Sequence, residues 1–472
     1  MFTLKRPVHI SSAITKLQMG NLLSTTAKTA FDGLGYEAPP GCPKPTAQSL
    51  EKAHQLLRAN HSNYQVKFND RKFHNHLAHI LGAAYYLGAS PQQLTAIYEE
   101  DIKDLVEWKE DSPEELDMTT YVKHLGDVRY ERGFFDLFQE EVTDVASYDW
   151  KAVANEVYSH TEGVPNSGAL FPGLAFGLLH PLIHLSYAFE LDAAPVAVEA
   201  MTLACMDFRK SARKLMEKRD PPAVQYSNPM EVLKLLQQDK SLDGVEFDLV
   251  MDPVNKQLDT VIKYADMLAL PDDPLKLAAT LVHDSVAYFG ASHKDDKPRY
   301  SFFFLHGLTG SQALCEIVAS KHFPEVFKDP NAAQTLGYFV WVNFIVLYMY
   351  HLRPTIDPKR IIDADTPVLA DAYPKAVELA LGSEDRFDEH YVKAIRALMF
   401  ADKFVHEHRP DLADSVPKDY YAKAAWLFAK NKPGKKFVYN NGDSDLELDW
   451  TWAEINTQRE KDAIKQDDLF EG

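Results

Sequence analysis

Four stretches place histidine or lysine where an unpartnered polar group would be costly. The first, Phe73-His74-Asn75-His76-Leu77-Ala78-His79, packs three imidazoles into six residues. His76 and His79 lie three apart and share one face of a helix. Neutral imidazole is the commonest metal ligand near pH 7. Core histidines satisfied by hydrogen bonds would produce the same string. The second, Leu178-Leu179-His180-Pro181-Leu182-Ile183-His184-Leu185, sets His180 and His184 one helical turn apart, a spacing that can turn both rings onto one ion. No Glu follows His180, so this is not the metalloprotease motif. Pro181 either kinks the helix or starts it; in the second case His180 sits at the cap.

The third stretch, Phe302-Phe303-Phe304-Leu305-His306-Gly307-Leu308-Thr309, holds a lone His306 behind four apolar residues. Taken alone, such a residue reads as a core histidine. Gly307 permits close approach of a ligand or backbone, and Thr309 is placed for a supporting hydrogen bond. In the fourth, Asp388-Glu389-His390-Tyr391-Val392-Lys393, the lysine sits on a helix that is apolar around much of its circumference. Lys393 either pairs with Glu389 one turn back or reaches for water. If buried, it becomes a free amine, able to combine with carbon dioxide into an anionic carbamate ligand. His283-Asp284 reads as an orienting pair, and His406 and His408 as helix-end surface residues.

The elements that must carry these residues read as helices. Apolar periodicity and caps predict them over Ala47–Asn60, Phe73–Leu87 (closed by Gly88), a capped start at Ser90-Pro91-Gln92-Gln93, Glu131–Val145, Trp150–Ser159, Leu179–Glu190 and Ala194–Arg219. Val232–Gln238, Asn255–Leu268, Pro274–Gly290, Ser301–Ser320, Asn331–Tyr350, Thr366–Leu381, Asp388–His406 and Pro417–Lys430 follow. Strand patterns are rare, Asp243–Val250 and Lys436–Asn440 being the weak cases. The expectation is an all-α fold: a large multi-helix catalytic domain over 46–430 with a metal site buried between helices, an extension over 1–45 and an acidic tail over 431–472.

The net charge of −19 is opposite to the footprint of a nucleic-acid binder. Three scattered cysteines, Cys42, Cys205 and Cys315, make neither a disulfide framework nor a thiolate zinc site, which fits a reducing, cytoplasmic setting. No apolar run of signal-peptide length opens the chain. Residues 1–31 lack acids and carry Lys5, Arg6, Lys16 and Lys28, a bias shared by mitochondrial leaders and unstructured starts. The apolar stretch Tyr338–Tyr350 is too short to span a bilayer and reads as a buried helix.

Together, His74–His79 followed by Tyr86-Leu87-Gly88-Ala89-Ser90-Pro91, the run His180–Glu190, Phe304–Thr309 and Asp388–Lys393 resemble the questin oxidase-like family, over about Gln48 to Phe404. The resemblance implies an all-helical enzyme of fungal aromatic polyketide pathways that oxidatively opens an anthraquinone or related ring. It implies a mononuclear non-haem Fe(II) centre held by His79, His180, His184 and His306, with Lys393 as a carbon dioxide-derived carbamate. His76 is next in line to His79 as ligand and is otherwise the base; Thr309 would hold the carbamate. No G-x-G-x-x-G follows a strand, which disfavours bound FAD but leaves NADPH open as an external reductant. The rival readings are a Baeyer–Villiger-type oxidase using NADPH, a zinc hydrolase on the same ligands, a haem protein with one axial histidine, and a helical scaffold with structural histidines.

Overall fold

The helix starts follow from local chemistry. In the computed structural model, Thr46 caps Ala47–Asn63 by accepting from Ser49 N at 3.1 Å. Ser90 and Gln93 form a reciprocal capping box at the head of Pro91–Asp101, with bonds of 3.2 and 2.9 Å. The structure describes residues 38–68, 73–108, 112–245, 256–293, 298–435 and 437. Most of the acidic tail, most of the N-terminal extension and most of both weak strand candidates lie outside these residues.

Nearly every element is a helix; the strands among the described residues are Lys67–Phe68 and Phe73–His74, paired antiparallel. That ribbon corrects one expectation. Phe73–Leu87 is not a single helix: Phe73 and His74 are extended, and the helix spans Leu77–Tyr86. The Asn75 side chain causes the turn, accepting from Leu77 N at 3.0 Å and donating to Gln65 O at 3.1 Å. A second correction concerns Ala194–Arg219, which stops at Met206 and resumes only over Ala212–Met216. Asp207 ends it because its carboxylate turns inward to Lys67 and His74. The helix from Glu131 likewise ends at Glu140 and widens into a single π turn over Glu141–Val145.

The helices carrying the candidate residues form a closed ring. Leu77–Tyr86 packs on His180–Leu191, that helix on Phe302–Ala319, that one on Glu389–His408, and the last returns to Leu77–Tyr86. Pro274–Gly290 and Ala332–Tyr350 back the Phe302 helix. At 19 residues, Ala332–Tyr350 is longer than the apolar stretch read from sequence, and it and Phe302–Ala319 are long and apolar enough to cross a membrane. Each is 83% buried over its most apolar window, as core helices are. Side chains close over Gly307: a Cβ there would stand 3.1 Å from the Tyr288 ring.

Candidate metal centre

Pro181 starts its helix rather than kinking it, so His180 is the first helical residue. The approach is strained: Leu178 and Leu179 have φ of 56° and 64°, a conformation that costs on the order of 1–3 kcal/mol per non-glycine residue. Gly177, at φ 59°, precedes them because any Cβ would collide with the Asp207 carboxylate. Asp207 in turn holds His74 Nε2 at 2.7 Å, and the His74 ring stacks on His180 with centroids 3.9 Å apart. Burial would push the Asp207 carboxyl up, but Lys67 and His74 hold it far below the usual range. Sheet ribbon, helix break and strained turn therefore converge on one object, the orientation of His180.

Three imidazoles have one nitrogen committed to an oxygen that can only accept. His180 Nδ1 donates to Gly177 O, His306 Nδ1 to Phe302 O at 2.9 Å, and His184 Nε2 to the Glu199 carboxylate at 2.8 Å. The opposite nitrogens, His180 Nε2, His306 Nε2 and His184 Nδ1, are left with lone pairs. Outer hydrogen bonds of this kind fix the tautomer of metal-binding histidines. The lone-pair nitrogens are not idle: His76 Nε2 stands 2.8 Å from His180 Nε2, and His79 Nε2 stands 3.0 Å from His184 Nδ1. Ligand atoms of His76, His180 and His306 lie within 4.8 Å of one another. Thus His180 and His306 are brought together with His76, while His79 and His184 face each other as a pair beside them, with the His79 and His180 rings 5.9 Å apart.

All of these histidines are buried. Burial first, and then the neighbouring Lys393 or other histidines, hold His76, His79, His180 and His306 well below the ordinary imidazole range, in the neutral ligating form. Lys393 is 1% exposed, and its Nζ has no hydrogen-bond partner among the described residues. The expected alternative, a pair with Glu389, is a longer-range attraction only. Glu389 instead accepts from His390 Nδ1 at 2.9 Å and lies 3.7 Å from His76 Nδ1. Desolvation brings the Lys393 amine down to about 7 against the pull of Glu389 and Asp388. The buried His306 Nε2 and His79 Nδ1 also lack partners. Neutral nitrogen donors with orphaned lone pairs fit a borderline transition metal better than magnesium or calcium. Thr309 is buried one turn beyond His306, its hydroxyl donating to Leu305 O at 3.1 Å.

A family model described as questin oxidase-like matches residues 73–398. The chain belongs to the questin oxidase-like family. It is 24% identical to a Baeyer-Villiger oxidase of Pestalotiopsis microspora, covering 77% of this chain and 83% of that protein. It is 24% identical to a Baeyer-Villiger monooxygenase of Aspergillus aculeatus, over 84% of this chain and 88% of the relative. With a questin oxidase of Aspergillus terreus it shares 25% identity over 86% of this chain and 91% of that protein. As a member of this family the chain is an oxidoreductase.

Sequence reasoning missed two carboxylates of this questin oxidase-like site, Glu199 and Asp207. The signal for Glu199 was present: one glutamate inside the otherwise apolar helix Ala194–Met206 must find a partner. It finds His184, His61 Nδ1 at 3.1 Å and Asn60 Nδ2 at 3.5 Å; the two imidazoles pull its carboxyl below the ordinary range despite burial. Asp207 gave no such signal, because it closes its helix. His283 bonds Tyr421 OH at 2.7 Å, and His406 is exposed beside Asp402; neither is among the clustered histidines.

Proposed function

We propose that this chain is a non-haem iron oxygenase that opens a ring carbon–carbon bond of a hydroxylated anthraquinone or related aromatic polyketide in secondary metabolism. The observation that carries the reading is the buried Lys393 amine without a partner, set among neutral imidazoles whose outer nitrogens already donate to oxygen. His79, His180, His184 and His306 would hold the metal, and Lys393 would complete the set. Its free amine bonds to the carbon of carbon dioxide and a proton leaves, making an anionic oxygen donor. Bound iron would supply the single-electron chemistry that lets dioxygen react with a closed-shell substrate.

The chain's own groups do the rest. His76 is the substrate-side base. In the structure His76 Nε2 carries the hydrogen that His180 Nε2 accepts at 2.8 Å. With a metal held by His180 that hydrogen would move to Nδ1, facing Glu389 at 3.7 Å, so that Nε2 could take a phenolic proton and the carboxylate stabilise the imidazolium. His76 lies on the less closed side, since the Glu389 side chain keeps 25% exposure whereas His79 is fully buried. Phe302, with centroids 4.8 Å from His306 and 4.7 Å from His390, offers a wall for a planar substrate. Thr309 would turn its hydroxyl from Leu305 O to the carbamate, a positioning role.

Oxygen accounting tests the reading. A ring-cleaving dioxygenase puts both oxygen atoms into product without a reductant. A Baeyer–Villiger monooxygenase, as the Aspergillus aculeatus relative is named, inserts one and sends the other to water with two electrons from a donor such as NADPH. Oxygen uptake matching product formation without NADPH supports the dioxygenase, and a one-to-one NADPH requirement replaces it with the monooxygenase. Turnover under strict anaerobiosis would sink both and leave the zinc hydrolase.

A further inference from the structure

We propose that Arg396, Glu190 and Glu316, walled by Tyr86 and Tyr187, form a buried clamp that sets how the four ligand-bearing helices converge, making them positioning residues for the metal centre. Its consequence rests on the metal reading above, but its geometry is independent of it. Arg396 is 1% exposed, and its Nη2 donates to Glu190 and, at 3.0 Å, to Glu316 Oε1. The guanidinium lies 4.3 Å from the Tyr86 ring centroid and 5.2 Å from that of Tyr187. Tyr86 OH donates to the Glu190 backbone oxygen at 3.0 Å.

The membership of this cluster repeats that of the candidate metal site, helix for helix. Tyr86 ends the helix of His79; Glu190 and Tyr187 share the helix of His180 and His184; Glu316 lies on the helix of His306; and Arg396 follows Lys393 by one turn. The two clusters also touch, for the Tyr187 ring stacks on His79 at 5.4 Å and 23°. One guanidinium thus touches groups of the other three ring-forming helices, through Nη2 to the two carboxylates and through its face to the tyrosine rings, beside the place where the histidines must meet.

Stability does not account for the arrangement. Replacing a buried charged triad by neutral groups is often neutral or stabilising, so what the charges contribute here is a fixed geometry. Both carboxylates are reached from one nitrogen, Nη2, while Nε and Nη1 are buried without a hydrogen-bond partner among the described residues. What lysine cannot reproduce is the flat guanidinium face set against the Tyr86 and Tyr187 rings. Burial and the adjacent Glu190 push the Glu316 carboxyl upward, against the pull of Arg396.

The test is a titration of metal-free protein with Co(II), whose visible bands report ligand geometry, beside the melting temperature of the metal-free form. Wild type is compared with Arg396→Lys and with the neutral triple variant Arg396→Met, Glu190→Gln, Glu316→Gln. The expected result is a folded triple variant whose Co(II) affinity falls by about 10–100-fold with altered bands, as when supports of metal ligands are removed. Arg396→Lys falls in between and carries the test if the triple variant does not fold. Wild-type affinity and bands in a folded triple variant, or in Arg396→Lys, overturn the clamp and leave the metal reading standing. Failure of wild type to bind Co(II) overturns both.

Discussion

At the scale of single residues, the site is decided by which nitrogen carries a proton. Glu199 holds the His184 hydrogen on Nε2 and leaves Nδ1 as a donor pair. Glu199→Gln weakens that hold, and metal affinity measured by titration is expected to fall about 10–100-fold with little change in secondary structure. The division of labour between His76 and His79 is tested by metal content. His79→Ala is expected to lose the metal, whereas His76→Ala keeps it and loses turnover; the reverse pattern exchanges their roles. Lys393 gives a pH signature. Its folded value of about 7 lies below the ordinary 10.5, so between these limits the unfolded chain binds more protons and stability rises with pH. Lysine's burden is therefore full below about 7 and gone above about 10.5. In carbon dioxide-free buffer, Lys393→Met is expected to raise metal-free stability at pH 6–7 by on the order of 4–5 kcal/mol. The difference should vanish near pH 11, and melting curves across that range check it.

At the scale of elements, His180 is aimed by a turn rather than by a helix. The Gly177–Leu179 backbone is left-handed at three successive positions, and Asp207 fills the space where a side chain at 177 would go. Gly177→Ala is expected to cost on the order of 2–4 kcal/mol and to displace the His74–Asp207 pair. A drop in melting temperature together with lost metal binding is the result to look for; an unchanged pair of values would mean that the turn is not strained. The helix break at Asp207 belongs to the same device. Periodicity through 194–219 favours one continuous helix, and a buried ion pair from a distant ribbon overrides it.

At the scale of the whole molecule, the ring of four helices is backed by apolar helices that carry few charges of their own. One buried acid in that backing makes a prediction. Burial lifts Asp284 to about 7, partly opposed by Arg409, from an ordinary 3.8. A raised acid contributes no penalty below about 3.8, and stability is lost progressively as pH rises toward 7. Asp284→Asn should therefore gain on wild type across that window, by up to about 4 kcal/mol. Denaturant melts at pH 4 and pH 7 check this, and equal differences at the two values would contradict it.

Much of the architecture was legible before any coordinates. Helix identity follows from apolar periodicity, and the heads of several helices from their caps; Pro274–Gly290 and the Ser90 capping box fall where the residues predict. The candidate histidines and Lys393 were legible too, because polar groups in apolar helices demand a purpose, and the motifs together carried the family. What tertiary structure alone decided is who faces whom. His76 stands with His180 and His306, while His79 faces His184, because crossing angles and a strained turn, not spacing along one helix, set distances between helices. Asp207 became visible, and the partners of Glu199 were settled, only once the folded chain brought residues over a hundred positions apart within a hydrogen bond of each other. Local patterns encode a helix and its buried face; the partner of a buried charge is chosen by packing.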